Sequence, residues 1–220
     1  MVYGLFVNKI WIIIYFKIHY IMKNLTLSEE NFNKQWVTFW GNMQTAGLSG
    51  YWNEETLRNA LKTATCALSL ETGLAYPGAL ISHINLFTSI AERLAKMVAG
   101  TFPDISQEQI LKVCLIQHLS KIEMYEPNDN QWEVEKRGLA YKFAKSEGCL
   151  KFGERSALNA MNAGVKLSPI EYEAICCLDK DGEEAKSRKY VVDILTTIVR
   201  QANELAYAIE RERFNKLNEE

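Results

Sequence analysis

The sequence lacks the runs that announce many functions. Its five cysteines (Cys66, Cys114, Cys149, Cys176 and Cys177) are odd in number and form no CxxC pair. That excludes a zinc-finger spacing and a simple disulfide framework, and fits a reducing cytoplasm where cysteine serves as a small hydrophobe. Lys and Arg total 25 against 27 Asp and Glu, a formal net charge of -2. No basic run carries interleaved aromatics, so the chain presents neither a nucleic-acid footprint nor a field for anionic lipid. No apolar run reaches the roughly 20 residues needed to span a bilayer. There is no phosphate loop, no nucleophile constellation and no internal repeat.

What is present is enough for one sizeable domain: 220 residues, 48% of them hydrophobic, can fill a core. The first residues stand apart. Ile10 to Phe16 is strongly apolar, but Asn8 and Lys9 precede it, Lys17 and His19 follow it, and no small-residue cleavage site comes after. Met22 opens a stretch, MKNLTLSEENF, that reads as the start of a soluble domain. Residues 1–21 are therefore expected to be an upstream extension from a misplaced start, with a membrane-associating anchor as the alternative, and residues 22–220 a single helical domain.

Helical periodicity dominates that domain. Thr26 and Glu29 have capping-box spacing, and Phe32, Trp36, Val37, Phe39 and Trp40 give the following helix an aromatic face. Asn53 starts a second helix carrying Leu57, Ala60, Leu61 and Ala64. The loop from Gly73 to Gly78 leads to a third helix from Ala79, whose apolar stripe includes His83 along with Leu80, Ile84 and Phe87. Ser106 to Gln109 forms another capping box. It opens a central helix over Leu111 to Tyr125 that begins apolar on every face and ends in Gln117, His118, Ser120 and Lys121. A helix apolar all round belongs in the middle of a domain, and polar groups buried at its end need partners or a pocket. Between 122 and 143, Tyr125, Trp132, Val134, Tyr141 and Phe143 suggest two short strands joined by a turn. A short helix spans 153 to 164, and Ser168, Pro169 and Glu171 give the strongest helix start in the chain. A last helix from about Lys189 to Leu217 is expected to bury Val191, Val192, Leu195, Ile198, Val199, Ala202, Leu205, Ala206 and Ile209, with a charged far end that frays.

Several of these segments, in order, resemble the HD superfamily of metal-dependent phosphohydrolases, in particular its small bacterial single-domain members. AYPGALISHINL (75–86) is similar to the segment carrying the family's first metal-binding histidine. LIQHLSKIEMYE (115–126) is similar to its His-Asp segment. KFGERS (151–156), VKLSPIEYEAI (165–175) and RQANELA (200–206) resemble later segments, and the hairpin falls where such members carry an insertion. The resemblance covers roughly residues 22 to 213. It implies an all-α, HD-domain-like helical bundle with a small inserted β-hairpin around 122–143.

The resemblance also implies a cluster of imidazoles and carboxylates that holds divalent metal and activates water against a phosphoryl group. Position by position, His83 keeps the first histidine, Gln117 stands at the second and His118 at its aspartate. Phe152 and Leu178 occupy two further histidine positions, and Asn203 replaces the closing aspartate. An amide is a neutral, weak ligand, and phenylalanine and leucine offer a metal nothing. Phe152 and Leu178 are expected to turn part of the cavity into ordinary core.

The expected function is a catalytically inactive module that binds a nucleotide or other phosphorylated small molecule, or a protein partner. Lys121 (at the family's lysine position), Arg155 and Arg200 are the candidates to hold phosphate. In that case no cofactor is expected. An alternative is a residual phosphohydrolase with a rearranged site and a divalent metal on His83 and His118. A third is a helical structural or assembly protein using Trp36 and Trp40 as its contact surface, although internal packing is the commoner fate of large aromatics. Glu154 is expected to serve the first turn of its helix.

Overall fold

The structure, a computed structural model, describes residues 27–145, 150–176 and 193–219. The apolar N-terminal extension, Leu178, Cys149, Cys177, Val191 and Val192 lie outside these residues. The described part is mostly helical: α1 (Glu29–Thr45), α2 (Glu54–Thr63), a 3-10 turn (Leu70–Thr72), α3 (Ala79–Val98), α4 (Gln107–Gln117), α5 (Lys121–Met124), α6 (Gln131–Arg137), α7 (Phe152–Asn162), α8 (Pro169–Cys176) and α9 (Ile194–Glu219). Strands β1 (Tyr125–Pro127) and β2 (Tyr141–Phe143) pair antiparallel, with Glu126 opposite Lys142. An all-α fold with a small two-stranded sheet was legible in the sequence.

The helix starts follow their capping residues. Ser28 accepts from Asn31 N at 3.2 Å and Asn53 accepts from Thr56 N at 2.9 Å. The first cap is Ser28, directly followed by the acidic Glu29 and Glu30; Thr26 lies outside the described residues. Ser106 with Gln109 and Ser168 with Glu171 close reciprocal boxes as expected. Lys151 N donates to Glu154 Oε2 at 3.0 Å, which is the first-turn role expected of Glu154.

α4 is the buried centre. Ile110, Leu111, Val113, Cys114, Leu115 and Ile116 are each at most 1% exposed, enclosed by α1, α3, α7, α8 and α9. The long α9 packs most extensively along α3 and next along α8. Trp36 is buried and stacks on the half-buried Trp40 at 5.4 Å between ring centroids, so the first aromatic face points into the core. Full burial of one such large side chain contributes about 1.5–3 kcal/mol.

Four expectations give way. α4 stops at Gln117; His118 to Ser120 form a turn before α5, so Leu111 to Tyr125 is not one continuous helix. The break is held by the start of α7: Ser120 N donates to the Ser156 side-chain Oγ at 3.0 Å, and Ser120 Oγ donates to the Phe152 backbone carbonyl at 2.9 Å. Trp132 and Val134 belong to α6, inserted between the strands, because Asn130 caps Glu133 N and Gly138 ends the turn at φ 63°. Val37 lies 72% exposed, off the stripe set by Phe32, Trp36 and Phe39. Leu205 and Ile209 are 45% and 36% exposed, and α9 continues in helix through its charged end to Glu219.

Candidate functional site

Three helices bring one residue each to a common point. His83, early in α3, is fully buried; His118 follows the last turn of α4; Asn203 comes from α9. His83 Nε2 and His118 Nε2 lie 3.2 and 3.1 Å from the same Asn203 Oδ1. The two imidazoles meet edge to face, 4.9 Å between centroids. On its other side His83 Nδ1 lies 2.8 Å from Glu210 Oε2, whose side chain is 9% exposed. A line of four side chains, Glu210, His83, Asn203 and His118, thus crosses the interior.

The orientation of the Asn203 amide sets the direction of the hydrogen bonds along this line. With Oδ1 toward both rings, each Nε2–H donates to it. With the amide reversed, its NH2 donates once to each ring. His118 is held well below the usual imidazole range: burial dominates, and the positive charges of Lys121 and His83 add to it, against the bond to Asn203. It is a neutral ring at physiological pH.

Beside His118 and Asn203 opens a cavity of about 540 Å³, walled also by Lys121, Gln117, Cys66, Tyr207, Tyr125, Phe152, Leu68 and Leu139. Lys121 is only 5% exposed. Its Nζ donates to Cys66 O and to Tyr207 OH, both at 2.9 Å, and lies 3.5 Å from Cys66 Sγ. The Phe152 ring, 5.4 Å from Nζ, and the rings of Tyr125 and Tyr207, at 6.0 and 5.7 Å, surround it. Burial raises the Cys66 thiol above its ordinary range, opposed by Lys121, so it is no ready nucleophile.

The sequence-derived positions separate here. His83, His118 and Asn203 converge, and Lys121 borders the same cavity. Gln117 turns toward α8, where its Nε2 donates to Ala174 O and Ile175 O at 3.3 Å, while its Oε1 takes no hydrogen from the described residues. Phe152 does not become ordinary core; it is a half-buried wall of the cavity. Arg155 and Arg200 are half-buried and do not line the cavity. Cys66, Tyr207 and Glu210 were not foreseen. Asn203, Tyr207 and Glu210 recur at helical spacing on one flank of α9, a polar stripe beside the apolar one, and that spacing was readable.

A hydrolytic metal centre would have to draw on this donor set. Its inner face offers two imidazole nitrogens and one neutral amide oxygen. The one carboxylate bonded to the cluster among the described residues, Glu210, meets the outer nitrogen of His83 and not the inner face. Among the described residues no group of three or more His, Cys, Asp or Glu could hold a metal ion. Two imidazoles and a neutral amide, among the described residues, fall short of the three-ligand sets of hydrolytic zinc centres, such as three histidines or two histidines and a glutamate. No helix of the described residues is long and apolar enough to cross a membrane.

No family model matches the chain, and no curated protein or solved structure matches it either.

Proposed function

We propose that the chain is a non-catalytic, HD-domain-like binding protein whose ligand, a nucleotide or similar phosphate ester, occupies the cavity beside His118 and Asn203. The observation that carries this reading is the open cavity itself, where a purely structural residue of a lost site would be plugged with side chains. Its volume of about 540 Å³ lies within the roughly 300–1,000 Å³ of small-molecule sites, and an apolar lining with a few convergent polar groups is their usual form. Lys121 supplies the cation for a phosphate, exchanging its bond to Tyr207 OH for an anionic oxygen. Tyr125 and Phe152, 5.4 Å between ring centroids and inclined at 65°, offer faces to a base. His118, neutral and tied to Asn203, positions a polar group without supplying a proton.

The test is a thermal melt with nucleoside mono-, di- and triphosphates. A saturable rise in Tm is expected for at least one, because a ligand that binds only the native state stabilises it. Lys121→Met should remove that rise. No saturable shift with any of them refutes the ligand reading and leaves a protein partner as the function of the surface.

A second reading, a phosphohydrolase with a rearranged site, draws on Glu210, a carboxylate that none of the six aligned positions supplies. Metal analysis of chelator-free protein, with a phosphatase assay, separates the two. A stoichiometric ion lost together with turnover in His83→Ala would establish the second reading and overturn the first.

A further inference from the structure

One full charge stands on the described wall of the cavity beside His118 and Asn203. Lys121 carries it, and no aspartate or glutamate of the described residues shares the wall. Arg155 and Arg200 do not line the space. His118 is neutral, since burial first and the charges of Lys121 and His83 next hold its proton affinity down. Asn203, Gln117, Ser69 and Thr72 add only amides and hydroxyls.

That cation is enclosed. Lys121 is 5% exposed and lies among the rings of Phe152, Tyr207 and Tyr125, at 5.4, 5.7 and 6.0 Å. Its hydrogen bonds go to neutral groups: Cys66 O, fixed in the backbone, and Tyr207 OH each accept at 2.9 Å, and Cys66 Sγ lies 3.5 Å away. An ammonium has three donors. With one held by the Cys66 carbonyl, at most two remain for a ligand, by exchange with Tyr207 and the sulfur. A phosphate diester has two non-bridging oxygens to receive them; a monoester has three.

Charge leads to the same class. A phosphate monoester carries about −1.5 to −2 near pH 7, with a second pKa of about 6, and each further phosphate adds more. A diester carries a single negative charge. In a partly desolvated space an ion pair is stronger than in water, and a charge left over is costly. One ammonium balances a diester and leaves a monoester with excess negative charge. We infer that the cavity selects singly charged phosphate diesters over monoesters, so that its nucleotide is one whose phosphate is joined to a second group. This rests on the cavity being a phosphate-ester site and adds which ester it takes.

Titration calorimetry on the native protein compares the 5′-monophosphates of adenosine, guanosine, cytidine and uridine with the 5′-methyl ester of each. At about pH 7.5, where the monoester is mostly doubly charged, at least one methyl ester should bind saturably and about tenfold or more tighter than its monoester. At about pH 5 the monoester is mostly singly charged, so its disadvantage should shrink severalfold. Cys66, Tyr125, Tyr207, His118 and Lys121 on the wall, with His83 and Glu210 beyond Asn203, face both ligands alike. The ratio of the two affinities therefore isolates the proton of the phosphate itself. A monoester that binds as tightly as its methyl ester at the higher pH, or a ratio that pH does not change, overturns the inference and leaves the phosphate-ester reading standing. No saturable binding of any of these ligands overturns both.

Discussion

Replacing Asn203 by aspartate restores a negative charge at the point where His83 and His118 meet, with almost no change of shape. In the native protein the amide oxygen lies 3.2 and 3.1 Å from two imidazole nitrogens. A carboxylate there is buried beside His118, which is neutral because burial, Lys121 and His83 hold its proton affinity down. The new charge must either recruit a proton onto His118 or remain uncompensated. An uncompensated or poorly paired buried group costs about 1–3 kcal/mol, and one kcal/mol moves Tm by about 2–4 °C in a domain of this size. Asn203→Asp without metal should therefore melt about 2–12 °C lower than the native protein. Zinc or nickel should reverse this, because two imidazoles and a carboxylate now make a three-ligand site. A hundredfold excess over Kd returns about 2.7 kcal/mol. Differential scanning fluorimetry with and without the ion reads both effects. An Asn203→Asp protein that melts at the native temperature and gains nothing from zinc or nickel would refute this picture of the site.

Three further outcomes follow from the same geometry. The folded-state proton affinity of His118 is lowered, so its contribution is fully present above the unfolded value near pH 6.5 and is lost as pH falls below it. The loss is up to about 1.4 kcal/mol per pH unit until the folded value is reached; urea midpoints from about pH 7 to pH 5 should fall less steeply in His118→Gln. Glu210→Leu leaves His83 Nδ1 without its partner at full burial, and should lower stability by about 1–3 kcal/mol or more in chemical denaturation. Gly73→Ala puts a side chain at φ 71° and into Phe214, so in chemical denaturation it should cost more than the roughly 1–2 kcal/mol of the backbone alone.

Much of the fold was legible because capping residues and apolar spacing act locally. Asn53, Ser106, Ser168 and the loop ending at Gly78 each mark a helix start where the structure has one. The break at His118 was not, since it depends on Ser156 and on the Phe152 carbonyl, which arrive from a helix more than thirty positions later in the chain. Trp132 and Val134 have strand-like composition, but Asn130 and Gly138 cap a helix around them and local hydrogen bonding prevails. At the site, His83, His118 and Asn203, singled out from the sequence, meet in the structure. Glu210 escaped because a charged residue near a helix end reads as solvated surface, and only α3 lying along α9 buries it. Lys121 lines the cavity as expected, but its bonds to Cys66 O and Tyr207 OH come from partners that no local pattern reveals.

The most direct test of the central claim, that the cavity beside His118 and Asn203 holds a phosphate ester without cleaving it, is a 31P NMR titration of the native protein with the nucleotide that gives the largest thermal shift. The account expects the ligand resonances to shift or broaden saturably, an effect lost in Lys121→Met, with no inorganic phosphate appearing over a prolonged incubation. Growth of the inorganic phosphate signal that stops in His83→Ala would contradict it.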